Sequence, residues 1–283
     1  MLGSASPALL RQSAESLAGR IAYHELEGLS IREAGSGKLS RLWLRGGFPR
    51  SYLAKNDEES FEWRRWFIRT YLERDLRMSG TNIGSETMRR FWTMLTHYHA
   101  QVLNSSDIAR SFGISDKTVR SYLDTLASTF MVKILQPWHE NIGKRLVKAP
   151  KIFFSDTGLL HFFMGIRNMQ ELLDHPRSGA SWEGFAMGEI ISCLDAREDE
   201  IFFWRTHNGA ELDLLIVRGK TRLGFEIKRS QSPGLTPSMR FALSDLKLSE
   251  LFVIHSGREK YSLGDNVEAI PLPELEDSLK NYI

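Results

Sequence analysis

Two carboxylates and a Glu-x-Lys set at period-two spacing are the residues of this chain best suited to chemistry. Residues 210–229 read AELDLLIVRGKTRLGFEIKR. Arg-Gly-Lys at 218–220 is a turn signal, so strands over 210–217 and 222–228 are expected to pair as a hairpin. Alternation sends Leu212, Leu214 and Ile216 one way, and Glu211 and Asp213 the other. On the second arm Phe225 and Ile227 face the core, while Glu226 and Lys228 share the opposite face. Whether the loop has two residues or four, Val217 opposes Arg222. Stepping back along an antiparallel ladder then sets Asp213 opposite Glu226, and Glu211 opposite Lys228. Directly opposed Cβ atoms lie roughly 4.5–5.5 Å apart. Two ionised carboxylates at about 4 Å in an intermediate dielectric repel by on the order of a few kcal/mol. A divalent cation between them turns that penalty into binding, and Mg²⁺ prefers one or two carboxylates plus waters and substrate phosphate. The expected metal ligands are Asp213 and Glu226. Lys228 is placed to orient a nucleophilic water or steady a phosphate. The plainer alternative is a strand face whose charges are simply solvated.

The elements that must position these groups are legible around the hairpin. EIFFWRT at 200–206 reads as a strand and is followed by a His-Asn-Gly turn, where His207 is a turn residue more readily than a base. Upstream, a helix is expected over 181–194, with Glu183 in its first turn and Glu189 further along. Downstream comes a helix with Pro237 in its first turn, then a strand at 250–257. The series is helix, three strands, helix, strand.

A second group of residues could touch nucleic acid. NSSDIARSFGISDKTVRSYLDTLASTF starts at Asn104. Ser105 or Ser106 can cap a short helix ending near Phe112, Gly113 supplies the turn, and Ser115 caps a second helix over 116–129. That is a helix-turn-helix pattern. The second helix offers Lys117, Thr118, Arg120, Ser121 and Tyr122 to phosphates or base edges. Strand-like runs at 130–135 and 151–154 flank a basic connection, which predicts a winged helix. Lys144, Arg145, Lys148 and Lys151 in that connection read as a phosphate-binding strip. A solvated loop is the alternative. Further upstream, residues 58–78 carry apolar side chains at helical spacing and another helix is expected at 86–101.

Composition sets the outer limits. The chain has 283 residues, 42% of them hydrophobic and 25% charged, with a net charge of +2. No run approaches the roughly 20 apolar residues that span a bilayer, and the N-terminal residues lack the apolar core of a signal peptide. Cys193 is the single cysteine, so no internal disulfide can form and thiolate metal clusters are excluded. A cytoplasmic protein without a membrane partner is expected. GSGKLS at 35–40 is not a phosphate loop: position 32 is Arg where the loop needs Gly, and position 39 is Leu where it needs Ser or Thr.

The helix–three strands–helix–strand series resembles the PD-(D/E)XK nuclease superfamily. The resemblance matches Glu183 to the acid of the first helix, Asp213 to the strand Asp, and Glu-Ile-Lys at 226–228 to Glu-x-Lys. It implies catalytic roles for Glu183, Asp213, Glu226 and Lys228, with Glu183 assisting the two metal ligands. Glu211 would be a neighbour salt-bridged to Lys228. Over nearly the whole chain, LRGGFPRSYL, TYLERDLR, NIGKRLVKAPKIFFSDTGLL, FFWRTHNGAELDLLI and FEIKRS look like prokaryotic AAA-type ATPases that end in a domain of unknown function. In that family an ATPase module precedes a winged helix and a nuclease-like domain. Here no Walker A or Walker B segment precedes the opening GSAS, so the chain reads as N-terminally truncated, a fragment, or a partner of a separate ATPase. Ser4 or Ser6 and Arg20 would lie near nucleotide in an intact relative. ATP is therefore expected only in full-length relatives.

The expected α/β architecture has three parts: 1–85 an AAA-type remnant with helical lid, 86–160 a winged helix-turn-helix, and 161–283 an αβββαβ restriction-endonuclease-like domain. The expected function is interaction with DNA and Mg²⁺-dependent phosphodiester hydrolysis. The DNA-contacting residues are Lys117, Arg120, Lys144, Arg145 and Lys148. The alternative is a non-catalytic regulatory or assembly module, engaging an ATPase partner or a second copy of itself.

Overall fold

The computed structural model describes residues 26–78, 83–139 and 147–282. Ser4, Ser6, Arg20, Lys144 and Arg145 lie outside the described residues. The chain is mixed α/β, built on a nine-stranded mixed sheet ordered β1-β3-β2-β4-β5-β6-β7-β9-β8. The strands are β1 (Gln101–Val102), β2 (Val132–Pro137), β3 (Lys151–Phe154), β4 (Ile201–Arg205), β5 (Glu211–Arg218), β6 (Thr221–Lys228), β7 (Glu250–His255), β8 (Tyr261–Gly264) and β9 (Val267–Pro271).

The β5–β6 hairpin turns through Gly219 and Lys220. Gly219 has φ +60°, a left-handed conformation that glycine takes without a Cβ penalty. Arg218 pairs with Thr221 and Val217 with Arg222, the register the turn signal predicts. β4 lies antiparallel to β5 on one side, and β7 lies parallel to β6 on the other. Strands β8 and β9 extend this edge and were not foreseen in the sequence. At the opposite edge β2 runs parallel to β4 through the pairs Gln136–Phe202 and Pro137–Phe203. Strands from either side of residue 160 therefore share one continuous sheet.

Strict alternation fails at one point in β5. Phe202 of β4 pairs with Leu215, but Trp204 pairs with Leu212, so β5 carries one extra residue over this interval. Such a bulge rotates the side chains beyond it. Leu214 and Ile216 pack with the helix side of Phe185, Met187 and Ile190. Leu212, expected beside them, packs instead with Leu215, Met239 and Leu246 on the other face. Asp213 and Leu214 are the residues at this irregularity.

Helices cover both faces of the sheet. Those used below are α1 (Leu39–Arg45), α2 (Asp57–Thr70), α3 (Ser85–Leu95), α4 (Ser105–Phe112), α5 (Asp116–Ser128), α6 (Thr157–Met164), α7 (Ser178–Cys193) and α8 (Pro237–Asp245). α2 runs on through a π-helical turn at Tyr71–Asp75, so the apolar run of 58–78 is helical throughout. α7 lies against one face of the sheet and α8 against the other. A third apolar core gathers α3, α4 and α5 around Phe91, Trp92 and Phe154.

The α4–α5 pair follows its local signals closely. Asn104, rather than Ser105 or Ser106, caps α4 by accepting the Asp107 amide. Gly113 closes the helix at φ +65°, and Ser115 accepts the Thr118 amide to start α5. Ile108, Ala109, Val119, Leu123 and Leu126 are buried between the helices and their neighbours. No helix among the described residues is long and apolar enough to cross a membrane.

Candidate active site

α7 is locked in place before any acidic residue matters. His161 on α6 is fully buried, and burial pushes its imidazole down to about 3, so it is neutral. Its Nδ1–H donates to the Leu44 carbonyl at 2.9 Å, which leaves Nε2 to accept from the Ser181 hydroxyl at 2.7 Å. Ser181 in turn accepts the Trp43 indole N–H at 2.9 Å. The chain α6–α7–α1 thus fixes the first turns of α7. Glu183 follows two residues later. Because α7 starts at Ser178, Glu183 lies in its second turn, not its first.

Further along α7, Glu189 accepts the Ile31 amide at 2.9 Å. Burial pushes its carboxyl up to about 7 from an ordinary 4.5. The folded protein therefore holds this proton more tightly than the unfolded chain does. The stability it contributes is complete below about pH 4.5 and is lost as pH rises through about 7. Glu189→Gln keeps an acceptor for Ile31 but cannot ionise. Wild type should lose stability relative to this variant between pH 5 and 8, by on the order of a few kcal/mol. Urea titrations of both proteins across that range check it, and a constant difference at every pH would refute it.

The carboxylates converge at the bulged end of the β5–β6 hairpin. Asp213 Oδ2 accepts the backbone amide of Ile227 at 2.9 Å. The backbone ladder ends at Leu214–Phe225, so Asp213 reaches β6 through its side chain rather than as a paired residue opposite Glu226. Glu226 is 6% exposed, and its Oε1 is 2.6 Å from Lys228 Nζ. Its Oε2 is buried without a hydrogen-bond partner. Glu211 is anchored through its backbone: Ser238 Oγ, in the first turn of α8, both accepts its amide and donates to its carbonyl at 2.8 Å.

Lys151 completes the cluster, and the sequence had assigned it elsewhere. It was expected in a solvent-facing phosphate strip. Instead β3 inserts it beneath the carboxylates, with only 2% of its surface exposed. Its Nζ is 2.5 Å from Glu211 Oε1, 3.2 Å from Glu183 Oε1 and 3.6 Å from Asp213 Oδ1. Glu211 is therefore paired with Lys151, and at 3.5 Å with Arg205, rather than with Lys228. One signal was available: a lysine opening the wholly buried run Lys151–Phe154 needs a buried counter-charge.

The electrostatics follow from burial and mutual repulsion. Burial, with the Asp213 charge, pushes the Glu183 carboxyl up to about 8 against the pull of Lys151. The same two causes push Glu226 up to about 7, opposed by Lys228. Burial alone would lower the Lys151 and Lys228 amines, but the carboxylates around each outweigh it and raise both. Among the described residues, no group of three or more His, Cys, Asp or Glu is arranged to hold a metal ion. Two carboxylates with waters are enough for Mg²⁺, and the donor set meets that need. The orphaned Glu226 Oε2, beside Asp213, is a buried acceptor that a cation would satisfy.

The α5 residues split into two groups. Lys117, Arg120 and Ser121 are exposed. Tyr122 packs edge-on against Phe91, at 5.4 Å between ring centroids, and the Thr118 hydroxyl lies 2.9 Å from Ser115 Oγ. Those two are therefore partly committed to the fold. Lys148 is exposed before β3.

Comparison with known proteins finds two family matches along the chain. Residues 36–170 match the model of a family described as a domain of unknown function (DUF8612), and residues 178–275 match that of another, DUF4143. Two uncharacterized mycobacterial proteins, one from Mycobacterium tuberculosis and one from Mycobacterium bovis, are each 45% identical over 275 residues. That alignment covers 97% of this chain and 62% of each relative, so the chain spans about three-fifths of their length. No solved structure matches. Lys151 lies in the DUF8612 match, whereas Glu183, Glu211, Asp213 and Glu226 lie in the DUF4143 match.

Proposed function

We propose that this chain interacts with DNA and that its C-terminal region is a PD-(D/E)XK-like centre for Mg²⁺-dependent phosphodiester hydrolysis. The observation that carries the reading is the buried, unpartnered Glu226 Oε2 beside Asp213 and Lys228. Asp213 and Glu226 would hold the ion. When bound, Mg²⁺ would polarise a phosphoryl oxygen and lower the pKa of a coordinated water. Lys228, kept protonated by Glu226 and Asp213, positions the attacking water or a phosphate oxygen rather than acting as a base. Glu183 accepts from Lys151 through Oε1, while burial and the Asp213 charge raise its carboxyl. Incubating the full chain with DNA and Mg²⁺ or Mn²⁺, against an EDTA control, tests this. Equal cleavage in both would end the catalytic reading.

In this reading the α4–α5 pair with β2 and β3 acts as a winged helix, and Lys117, Arg120 and Lys148 contact phosphate. Each phosphate contact contributes about 0.9 to the slope of log K against log salt. The double variant Lys117→Ala/Arg120→Ala should reduce that slope by roughly 2. A variant with an unchanged slope would remove α5 from the interface.

A second reading is a non-catalytic regulatory or assembly module, working with an ATPase partner or a second copy of the chain. Lys151 favours it, because one ammonium already serves three of the carboxylates. Absence of DNA binding at any salt concentration would support this reading over the first. ATP belongs, as the resemblance implies, to full-length relatives.

A further inference from the structure

The acids of this centre fall into two sets. An ammonium has three donors, and Lys151 faces one oxygen each from Glu183, Glu211 and Asp213. Its Nζ also lies over the Phe203 ring, 5.6 Å from the ring centre. On the other side of Asp213, Lys228 takes one oxygen of Glu226 and leaves the other buried without a partner. One side of Asp213 is thus filled by a cation the chain itself supplies. The other side has a vacant acceptor.

We propose that Lys151 is a built-in cation that restricts this centre to a single divalent ion, held by Asp213 and Glu226. The proposal rests on the metal-binding reading above and deepens it. In two-metal sites the ions sit about 3.5–4 Å apart and share a bridging carboxylate environment. Asp213 acts on both Glu183 and Glu226, so it is the natural bridge. The position a second ion would need, among Glu183, Glu211 and Asp213, is the position of Lys151 Nζ. A lysine in this place supplies fixed charge without exchange. It comes from β3, on the helix-pair side of the sheet, whereas the acids come from α7, β5 and β6. The occupancy of the centre is therefore set by a residue from the part of the chain that carries α4 and α5.

Mn²⁺ counted on the purified full chain, by electron paramagnetic resonance and by calorimetry, tests this without reference to activity. Wild type should bind one ion per chain. Lys151→Gln should bind two, and Lys151→Arg, which keeps the charge, should bind one. Wild type and Lys151→Gln each binding one ion with equal affinity would overturn the role of Lys151 and leave the metal site standing. Two ions on wild type would overturn it as well. No Mn²⁺ on wild type or either variant would overturn the metal site itself, and this proposal with it. Should Lys151→Gln fail to fold alone, millimolar Mn²⁺ should restore its cooperative melt. A melt that Mn²⁺ does not restore counts against the proposal.

Discussion

Replacing Asp213 with alanine should reduce Mg²⁺-dependent DNA cleavage by the full chain to background. Asp213 is the one carboxylate that faces Lys151 on one side and raises the Glu226 carboxyl on the other. Removing it takes away a ligand of the proposed ion and the charge that Lys228 and Lys151 both answer. A loss of at least about 10²–10³ in rate is expected, the scale at which a single preorganised charge-stabilising group acts. The variant has a structural cost too. The buried Ile227 amide loses its acceptor, which is worth about 1–3 kcal/mol. Asp213→Asn separates the two effects, since its amide oxygen still accepts from Ile227 while the charge is gone. Both variants should be equally inactive, and the asparagine form should melt closer to wild type. Activity in either above the EDTA background would remove Asp213 from the chemistry.

Gly184→Ala should be the most disruptive small change near the centre. A Cβ at this position would lie 2.4 Å from His99 Nε2 and 2.6 Å from its Cε1. His99 cannot move aside easily: it is fully buried, and its Nδ1 accepts the Phe154 amide at 3.0 Å. α7 would have to withdraw from β3, and the neighbouring Glu183 would withdraw from Lys151. Overpacking of this kind costs typically about 1–3 kcal/mol. In a chain of this size that corresponds to a fall in Tm of about 2–5 °C. A thermal melt within about 1 °C of wild type would show that α7 does not need this close approach.

The parts of the fold that were legible depend on short-range signals. Gly219 and the flanking alternation gave the hairpin register, because turn length and a period of two leave few pairings. Gly113 and Ser115 gave the α4–α5 turn for the same reason, as a left-handed residue and a side-chain cap are local features. Strands β8 and β9 were missed because their runs are short and mixed, and pairing makes them strands: β9 on the buried β7, and β8 on β9. The bulge in β5 was invisible to alternation, since it is defined by the partner strand β4. It moved Leu212 to the other face and gave Asp213 its reach.

The sequence by itself determined which carboxylates share the hairpin and which lysine follows Glu226 on the same strand. Those facts need only a turn and a repeat of two. The tertiary structure decided what stands against the carboxylates. It brought Lys151 in from β3 and Glu183 from α7, and it gave Glu211 to Lys151 instead of Lys228. Pairings of this kind join segments far apart along the chain. Their geometry is set by how helices and strands pack around three apolar cores, and no local pattern of residues encodes it.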